Sequence, residues 1–268
     1  MKNQRKLWIA FIAVVVVSFA VLIYYGKEIY QKAPPIPEEV VSTDGTVLFT
    51  GQNIKDGQNV WQSIGGQEVG TVWGHGAYVA PDWTADWLHR EAQFILNKYA
   101  QTDFGMGFDS LQAEQKAALE VRLQNELRKN TYDPATKKLT ITPIRIEAYN
   151  ALHQYYSGLF MNDPALAETR DNYAIPENSI KTQERMDHMV SFFFWASWAC
   201  VTERPGENVS YTHNWPSDTQ VGNVPTGSLI LWTGFSIIML LLGIGILIFY
   251  NVQQKKEEEI EIPHEDPL

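Results

Sequence analysis

Two long uncharged hydrophobic runs lie near the two ends of the sequence. Leu7 to Tyr25 comprises 19 residues without charge, and Leu229 to Tyr250 comprises 22. An α-helix rises about 1.5 Å per residue, so each run reaches roughly the 30 Å thickness of a bilayer's hydrocarbon layer. A cleaved signal peptide would end in a small-x-small site, whereas Tyr24-Tyr25-Gly26-Lys27 follows the first run. The pattern therefore predicts two retained transmembrane helices.

Basic residues flank the outer end of each run. Lys2, Arg5 and Lys6 precede the first, and Lys255 and Lys256 follow the second. Because basic residues concentrate on the cytoplasmic side, we expect a protein of the cytoplasmic (inner) membrane with both termini in the cytoplasm. The predicted regions are an N-terminal transmembrane helix (1–26), an extracytoplasmic domain (27–226), a second transmembrane helix (227–250), and a cytoplasmic tail or linker (251–268).

A third apolar stretch, Met189 to Val201, is too short to be another span. Its 13 residues would extend only about 20 Å as a helix. A crossing there would also place the second basic flank on the wrong side of the membrane. We predict instead a buried helix of the external domain, capped near Thr182 and ending before Pro205-Gly206.

The remaining external sequence is mainly helical in pattern. Apolar residues recur at three-to-four spacing after Pro81-Asp82, which predicts an amphipathic helix. Ser110 is predicted to open a second helix. Thr142-Pro143 provides a capping hydroxyl followed by a proline at the first helical position, so a third helix is expected there. Lys137 to Thr142 alternates like a strand, which allows a small hairpin around Asp133-Pro134. The fold class is therefore mainly α.

Charge and cysteine content narrow the functional classes. The formal net charge is −10, and a nucleic-acid partner is not expected because phosphate binding requires a basic surface. The single cysteine, Cys200, excludes an intrachain disulfide, a Cys-x-x-Cys-His haem attachment and a multi-cysteine zinc site. Because Cys200 lies within the third apolar stretch, we interpret it as a small core residue.

The segment from Gly51 to Trp87 has the most distinctive composition. It contains seven glycines and four tryptophans. So many glycines argue against a plain helix or strand and predict tight turns. The Gly-His-Gly-Ala-Tyr sequence beginning at Gly74 could present carbonyl oxygens and a phenol to a hard cation. The alternative is a packed loop whose aromatic residues form a small core, and the residues alone leave both open.

Several motifs resemble, in colinear order, the N-terminal region of quinol-dependent nitric oxide reductases. The resemblance runs from about Gly45 to the C-terminus, and several motifs are eight or more residues long. The matching segments are Gly51-Gln-Asn-Ile-Lys-Asp-Gly-Gln-Asn-Val-Trp-Gln, Trp73-Gly-His-Gly-Ala-Tyr-Val-Ala-Pro-Asp-Trp, Ala85-Asp-Trp-Leu-His-Arg-Glu-Ala, Asn172-Tyr-Ala-Ile-Pro-Glu-Asn, Phe193-Phe-Trp-Ala-Ser-Trp-Ala-Cys, Asn214-Trp-Pro and Val221-Gly-Asn-Val-Pro-Thr-Gly.

The resemblance implies a cytochrome c-like domain that has lost its haem. In related cytochrome c-dependent enzymes, a small subunit carries a c-type haem between a Trp and a Gly-Ala-Tyr segment, and Trp61 and Gly76-Ala77-Tyr78 match that frame. The positions expected to hold the attaching Cys, Cys and His are Gly66, Val69 and Gly70. No covalently bound cofactor and no catalytic residue are therefore expected in this chain.

The same resemblance implies cofactors and partners outside the chain. Haem b, haem b₃ and a non-haem iron are expected only in a catalytic multi-helix part, since none of the six histidines lies in either apolar run. A calcium ion is expected at the interface with that part, with the Gly76 carbonyl and Tyr78 as local ligands. The other expected partners are the lipid bilayer and, through the whole enzyme, quinol. A homodimer is possible on this resemblance.

Three functions compete at this level. The first is a non-catalytic domain or subunit of a quinol-dependent nitric oxide reductase, either as a fragment or paired with a separate catalytic chain. The second is a two-span receptor with an external ligand-binding domain, for which the 18 residues after Tyr250 leave little room for an output domain. The third is an electron-carrying cytochrome anchor, which the lack of a Cys-x-x-Cys-His motif argues against.

Overall fold

The computed structural model describes residues 2–257, and the chain divides into a larger unit ending at Val224 and a smaller one beginning at Pro225. Within the described residues the larger unit contains helices α1 to α7 and four strands, and the smaller contains α8. The elements are α1 (Lys2–Lys32), β1 (Glu39–Ser42), β2 (Val47–Thr50), α2 (Gly51–Ser63), α3 (Trp83–Phe104), α4 (Ala113–Arg128), β3 (Tyr132–Asp133), β4 (Lys138–Ile141), α5 (Pro143–Phe160), α6 (Ala167–Asn172), α7 (Gln183–Val201) and α8 (Gly227–Glu257).

Helices α1 and α8 are each long and apolar enough to cross a membrane. The qualifying stretches are Gln4–Lys32 and Gly227–Gln254. The prediction of a mainly α protein with a membrane-type helix at each end is therefore confirmed. Helix α1 continues to Lys32, beyond the predicted limit at residue 26. The end of the predicted tail, residues 258–268 with His264, lies outside the described residues, as do the side chains of Lys255 and Lys256.

The third apolar stretch forms a buried helix at the centre of the larger unit, as predicted. Every residue from Met189 to Val201 is buried in α7. The Thr182 hydroxyl accepts a hydrogen bond from the Arg185 N–H and caps the helix. Helix α7 ends at Val201 because Thr202 adopts an extended backbone and donates its hydroxyl to the Leu127 carbonyl.

Helix α2 corrects one expectation about the glycine-rich segment. Gly51–Ser63 is a regular helix, although the glycine content argued against one. Thr50 and Asn53 form a capping box at its start, which satisfies N–H groups that the first turn leaves free. Gly57 faces α7 so closely that a Cβ would lie 2.0 Å from the His188 carbonyl oxygen. The glycine therefore serves helix packing rather than a turn.

A small sheet joins distant parts of the domain in the order β2-β1-β4-β3. Strands β1 and β2 are antiparallel, β1 and β4 are parallel, and β3 and β4 form the predicted hairpin. The sheet buries Val40, Phe49 and Leu139 against the helices. The pairing of β1 with β2 and β4 was not predicted, because each strand is only four residues long.

The two remaining predicted helices are present, with one boundary corrected. Helix α3 begins directly after Asp82, and α5 begins with Pro143, as expected. The predicted start at Ser110 is wrong. Ser110 ends a short 3₁₀ helix that begins at Phe108, Leu111 is extended, and α4 starts at Ala113.

Candidate functional site

A buried carboxylate, Asp82, organises the loop that precedes α3. One of its oxygens accepts hydrogen bonds from the Thr71 hydroxyl at 2.7 Å and the Gly74 N–H at 2.6 Å. The other accepts the backbone N–H groups of Thr84 and Ala85, both at 3.0 Å. Since an N-cap side chain contributes about 1 kcal/mol to a helix, this carboxylate stabilises α3 and the loop together.

The predicted ligand residues lie on a turn at the tip of this loop. The Gly76 N–H donates to the Thr71 hydroxyl oxygen at 2.8 Å, and the Ala77 N–H donates to the Ala80 carbonyl at 2.9 Å. Gly76 has a φ of +87°, which side chains with a Cβ rarely adopt. Tyr78 is fully exposed to solvent at the tip. Hydrogen bonds therefore hold the base of the loop, while the Tyr78 phenol at its tip is exposed to solvent.

Tryptophans attach the base of the loop to the rest of the domain. The Trp73 indole donates to the Ala196 carbonyl in α7 at 2.9 Å. The Trp215 indole donates to the Gly74 carbonyl at 2.8 Å, and its ring lies 4.7 Å from that of His75. These contacts hold the loop between α7 and the segment that follows it.

The positions expected for haem attachment form a short closed turn. Gly66–Val69 is a 3₁₀ helix followed by Gly70. The Trp83 indole donates to the Val69 carbonyl at 3.0 Å, and the Trp61 indole donates to the Gly70 carbonyl at 3.1 Å. Two tryptophan indoles are thus hydrogen-bonded to the backbone of the turn that, on the family resemblance, would carry the haem-attaching side chains.

Stacked aromatic rings fill the interior beside this turn. Trp83 stacks on Phe193 with ring centroids 5.7 Å apart, and Trp87 stacks on Tyr156 at 5.3 Å. All four side chains are buried. The packed-loop interpretation therefore describes the tryptophans correctly, whereas Tyr78 takes no part in this core.

The turn fits part of a calcium site. Within the described residues, the Gly76 carbonyl accepts no hydrogen bond and the Tyr78 hydroxyl has no partner. Neither is a carboxylate oxygen, and each oxygen of the nearby Asp82 carboxylate is already engaged. Calcium takes six to eight oxygen ligands, usually including carboxylates. In the part of the chain that the structure describes, no three His, Cys, Asp or Glu residues are placed to hold a metal. This turn would therefore supply only a minority of the ligands.

The described histidines are spread over the domain. His89 lies 3.7 Å from Asp218, and His153 lies 2.8 Å from Asp187. Burial and the nearby Arg204 guanidinium lower the pKa of His213. His75 stands beside the exposed turn, and His188 lies on α7.

Sequence reasoning missed the residues that brace the turn. Asp82 was treated only as a helix start, and Thr71 and Trp215 were given no role. The spacing of Asp82 before Trp83 and Thr84 is a capping signal that sequence can show. Its second set of bonds, to Thr71 and Gly74, depends on a loop path that sequence does not specify.

The fold and the loop define a helical domain carrying membrane-type helices, with an aromatic-filled interior and one exposed turn. The family model that describes the cytochrome c-like domain of the NorB subunit of nitric oxide reductase matches residues 37–217, which is more than half of the chain. The chain therefore belongs to this family, whose members are membrane-bound, and the resemblance to nitric oxide reductases is confirmed. No curated protein gives a significant match to the chain.

Proposed function

We propose that this chain is a non-catalytic N-terminal domain or subunit of a membrane quinol-dependent nitric oxide reductase. Its role is to support a haem-bearing catalytic bundle that this sequence does not contain. The whole enzyme would carry out QH₂ + 2 NO → Q + N₂O + H₂O, with quinol giving two electrons and two protons. Haem b, haem b₃ and non-haem iron would belong to the bundle.

The aromatic interior carries this proposal. A cytochrome c-like domain that transfers electrons needs two thioether bonds and an axial ligand, and Gly66, Val69 and Gly70 offer none. Trp61 and Trp83 instead bond to that backbone. A domain without a covalent haem cannot accept electrons from a soluble cytochrome, so the electrons would come from quinol in the bilayer.

The exposed turn supports the proposed contact with the catalytic part. Gly76 and Tyr78 offer a carbonyl that accepts no hydrogen bond from the described residues and an exposed hydroxyl, on a hydrogen-bonded turn. Calcium at this position would link them to carboxylate oxygens supplied by the bundle. The chain's own contribution is to brace the backbone of the turn that carries these two residues, through Thr71 and Asp82.

The proposed location is the inner membrane, with both termini in the cytoplasm and the domain outside it. The basic residues Arg5 and Lys6 before the first apolar run motivate this orientation. Contacts with lipid follow from the apolar surfaces of α1 and α8. A homodimer belongs to the same proposal and rests on the family resemblance alone.

Co-expression with a tagged catalytic bundle of the family tests the proposed function. We expect the full chain to co-purify with the bundle and to be required for quinol-driven nitric oxide consumption. The chain purified alone should show neither a Soret band nor nitric oxide consumption. A stoichiometric haem spectrum in the isolated chain would overturn the haem-free role. Full activity of the bundle without this chain would overturn the supporting role and leave the two-span receptor as the better interpretation.

A further inference from the structure

A polar cavity lies in the domain, away from the exposed turn. Its volume is about 510 Å³, within the range of small-molecule sites. Residues of β2, α2, α5 and α7 line it. They are Leu48, Phe49, Asn53, Tyr149, Asn150, His153, Glu184, Asp187, His188 and Ser191.

Charge is distributed unevenly around this cavity. Glu184 and Asp187 contribute two carboxylates, and neither lysine nor arginine is among the lining residues. His153 and His188 also line the cavity, but His153 is already paired with Asp187. An anionic ligand would therefore meet two carboxylates with no lysine or arginine to offset them. The lining therefore favours a positively charged ligand.

Among the described residues, some polar groups of the cavity are already hydrogen-bonded and others have no partner. His153 and Gln183 each lie 2.8 Å from one oxygen of Asp187, which fixes that carboxylate between α5 and α7. Among the described residues, Glu184 and Asn150 make no hydrogen bond or ion pair through their side chains. A fixed carboxylate and two free polar groups can together receive several N–H donors.

The floor of the cavity is aromatic. Phe49 and Tyr149 stack with ring centroids 5.4 Å apart. Burial raises the pKa of Tyr149 to about 12, so its hydroxyl stays neutral, and it lies 3.5 Å from the Ser191 hydroxyl. A ligand with a short alkyl chain would pack on these rings and direct its polar end toward the carboxylates.

We propose that this cavity binds a small organic cation bearing an ammonium or guanidinium group. Asp187 and Glu184 receive the N–H donors, and Phe49 and Tyr149 contact the alkyl part. A metal ion is less well matched, because no three candidate ligands converge anywhere in the described chain. This site is independent of the proposed role beside a catalytic bundle.

Isothermal titration calorimetry of the full chain in nanodiscs with agmatine tests the site. Glutarate, 1,4-butanediol and Zn²⁺ serve as the anionic, neutral and metal-ion comparisons. Agmatine should bind saturably at one site. Asp187→Asn and Glu184→Gln should each weaken binding about tenfold, the effect of losing a charged hydrogen bond worth roughly 1.4 kcal/mol. Glu114→Gln, an exposed carboxylate in the first turn of α4, should leave it unchanged.

Glu184→Gln keeps the test decisive if Asp187→Asn disturbs the fold, since the Glu184 side chain is exposed and forms no bond in the described protein. The proposal is overturned if agmatine gives no saturable binding up to about 10 mM, a dissociation constant too weak for a built site. Tighter binding of glutarate, butanediol or Zn²⁺ than of agmatine would also overturn it, as would equal affinity in both carboxylate variants and the parent.

Discussion

The contact between α2 and α7 and the turn at Tyr78 place similar residues in opposite situations. Gly57 lies where any Cβ would collide with the His188 carbonyl, and Phe192 beside it is buried. Gly76 begins a turn whose tyrosine touches solvent alone. Aromatic and glycine residues therefore serve packing in the first region and presentation in the second. The difference shows that glycine and aromatic residues alone do not tell a packed segment from an exposed turn; burial does.

The rate of thiol labelling should show the largest difference between these two regions. Cys200 is fully buried in α7, and burial raises the pKa of its thiol, so little thiolate exists at neutral pH. Reaction requires local or global opening, which costs several kcal/mol. We expect Ellman's reagent to label Cys200 at least on the order of a thousandfold more slowly than a cysteine placed at the tip in Cys200→Ala/Tyr78→Cys. Comparable rates under native conditions would mean that the core is not closed.

Gly57→Val should cause the largest loss of stability. The new side chain would meet the His188 backbone at about the 2.0 Å Cβ distance, and that backbone belongs to the most buried helix. Overpacking of this kind costs about 3 kcal/mol or more. Gly107→Ala is the matched control, because its Cβ would meet only the Asn97 side chain at 3.8 Å. Chemical denaturation followed by tryptophan fluorescence measures both, and equal midpoints would contradict the close approach.

Asp82→Asn should destabilise the domain by about 2 kcal/mol. The amide keeps the size of the side chain but replaces one oxygen by an NH₂ group, so the donors on that side, either Gly74 with Thr71 or Thr84 with Ala85, lose their acceptor. Asp109→Asn provides an exposed control. Thermal unfolding by circular dichroism measures the difference. Hydrogen exchange should also quicken around Thr71 and Gly76, and unchanged exchange there would show that Asp82 does not brace the turn.

Much of the fold could be predicted because its signals are local. The apolar length of α1 and α8, the capping threonine of α7 and the proline that starts α5 each lie within one segment. The parallel pairing of β1 with β4 could not be predicted, since both strands are short and lie far apart in sequence. Helix α2 was missed because its glycines signal turns unless the facing helix is known.

The candidate site likewise has a part that the sequence indicated and a part that only the folded chain shows. Resemblance to the family pointed to Gly76 and Tyr78, and the structure places both on one exposed turn. Asp82 and Trp215 support that turn through contacts spanning 8 and 141 residues of sequence. No periodicity or spacing rule connects residues so far apart, so the support could come only from the folded chain.

Tyr78→Phe should have the smallest effect on the isolated chain. The hydroxyl is exposed and makes no described contact, so the free energy of unfolding should change by less than about 0.5 kcal/mol. In the assembled enzyme, calcium content or turnover should fall. Val121→Ala, an exposed apolar position on α4, is the control for a general surface effect. Unchanged calcium content and turnover would show that the hydroxyl is not a required ligand. A large stability loss for Tyr78→Ala would instead make Tyr78 a structural residue.

The parallel pairing of β1 with β4 has a consequence for how the protein is made. Glu39 aligns with Lys138, 99 positions later in the sequence, so the sheet closes a long loop that contains α2, α3 and α4. Closing so long a loop carries an entropic cost, and contacts of this kind slow folding. During synthesis, the edge of β1 that pairs with β4 stays unpaired until Ile141 has emerged from the ribosome. The nascent domain thus carries an unpaired strand edge for a long stretch of translation, and chaperone demand should be highest in that interval.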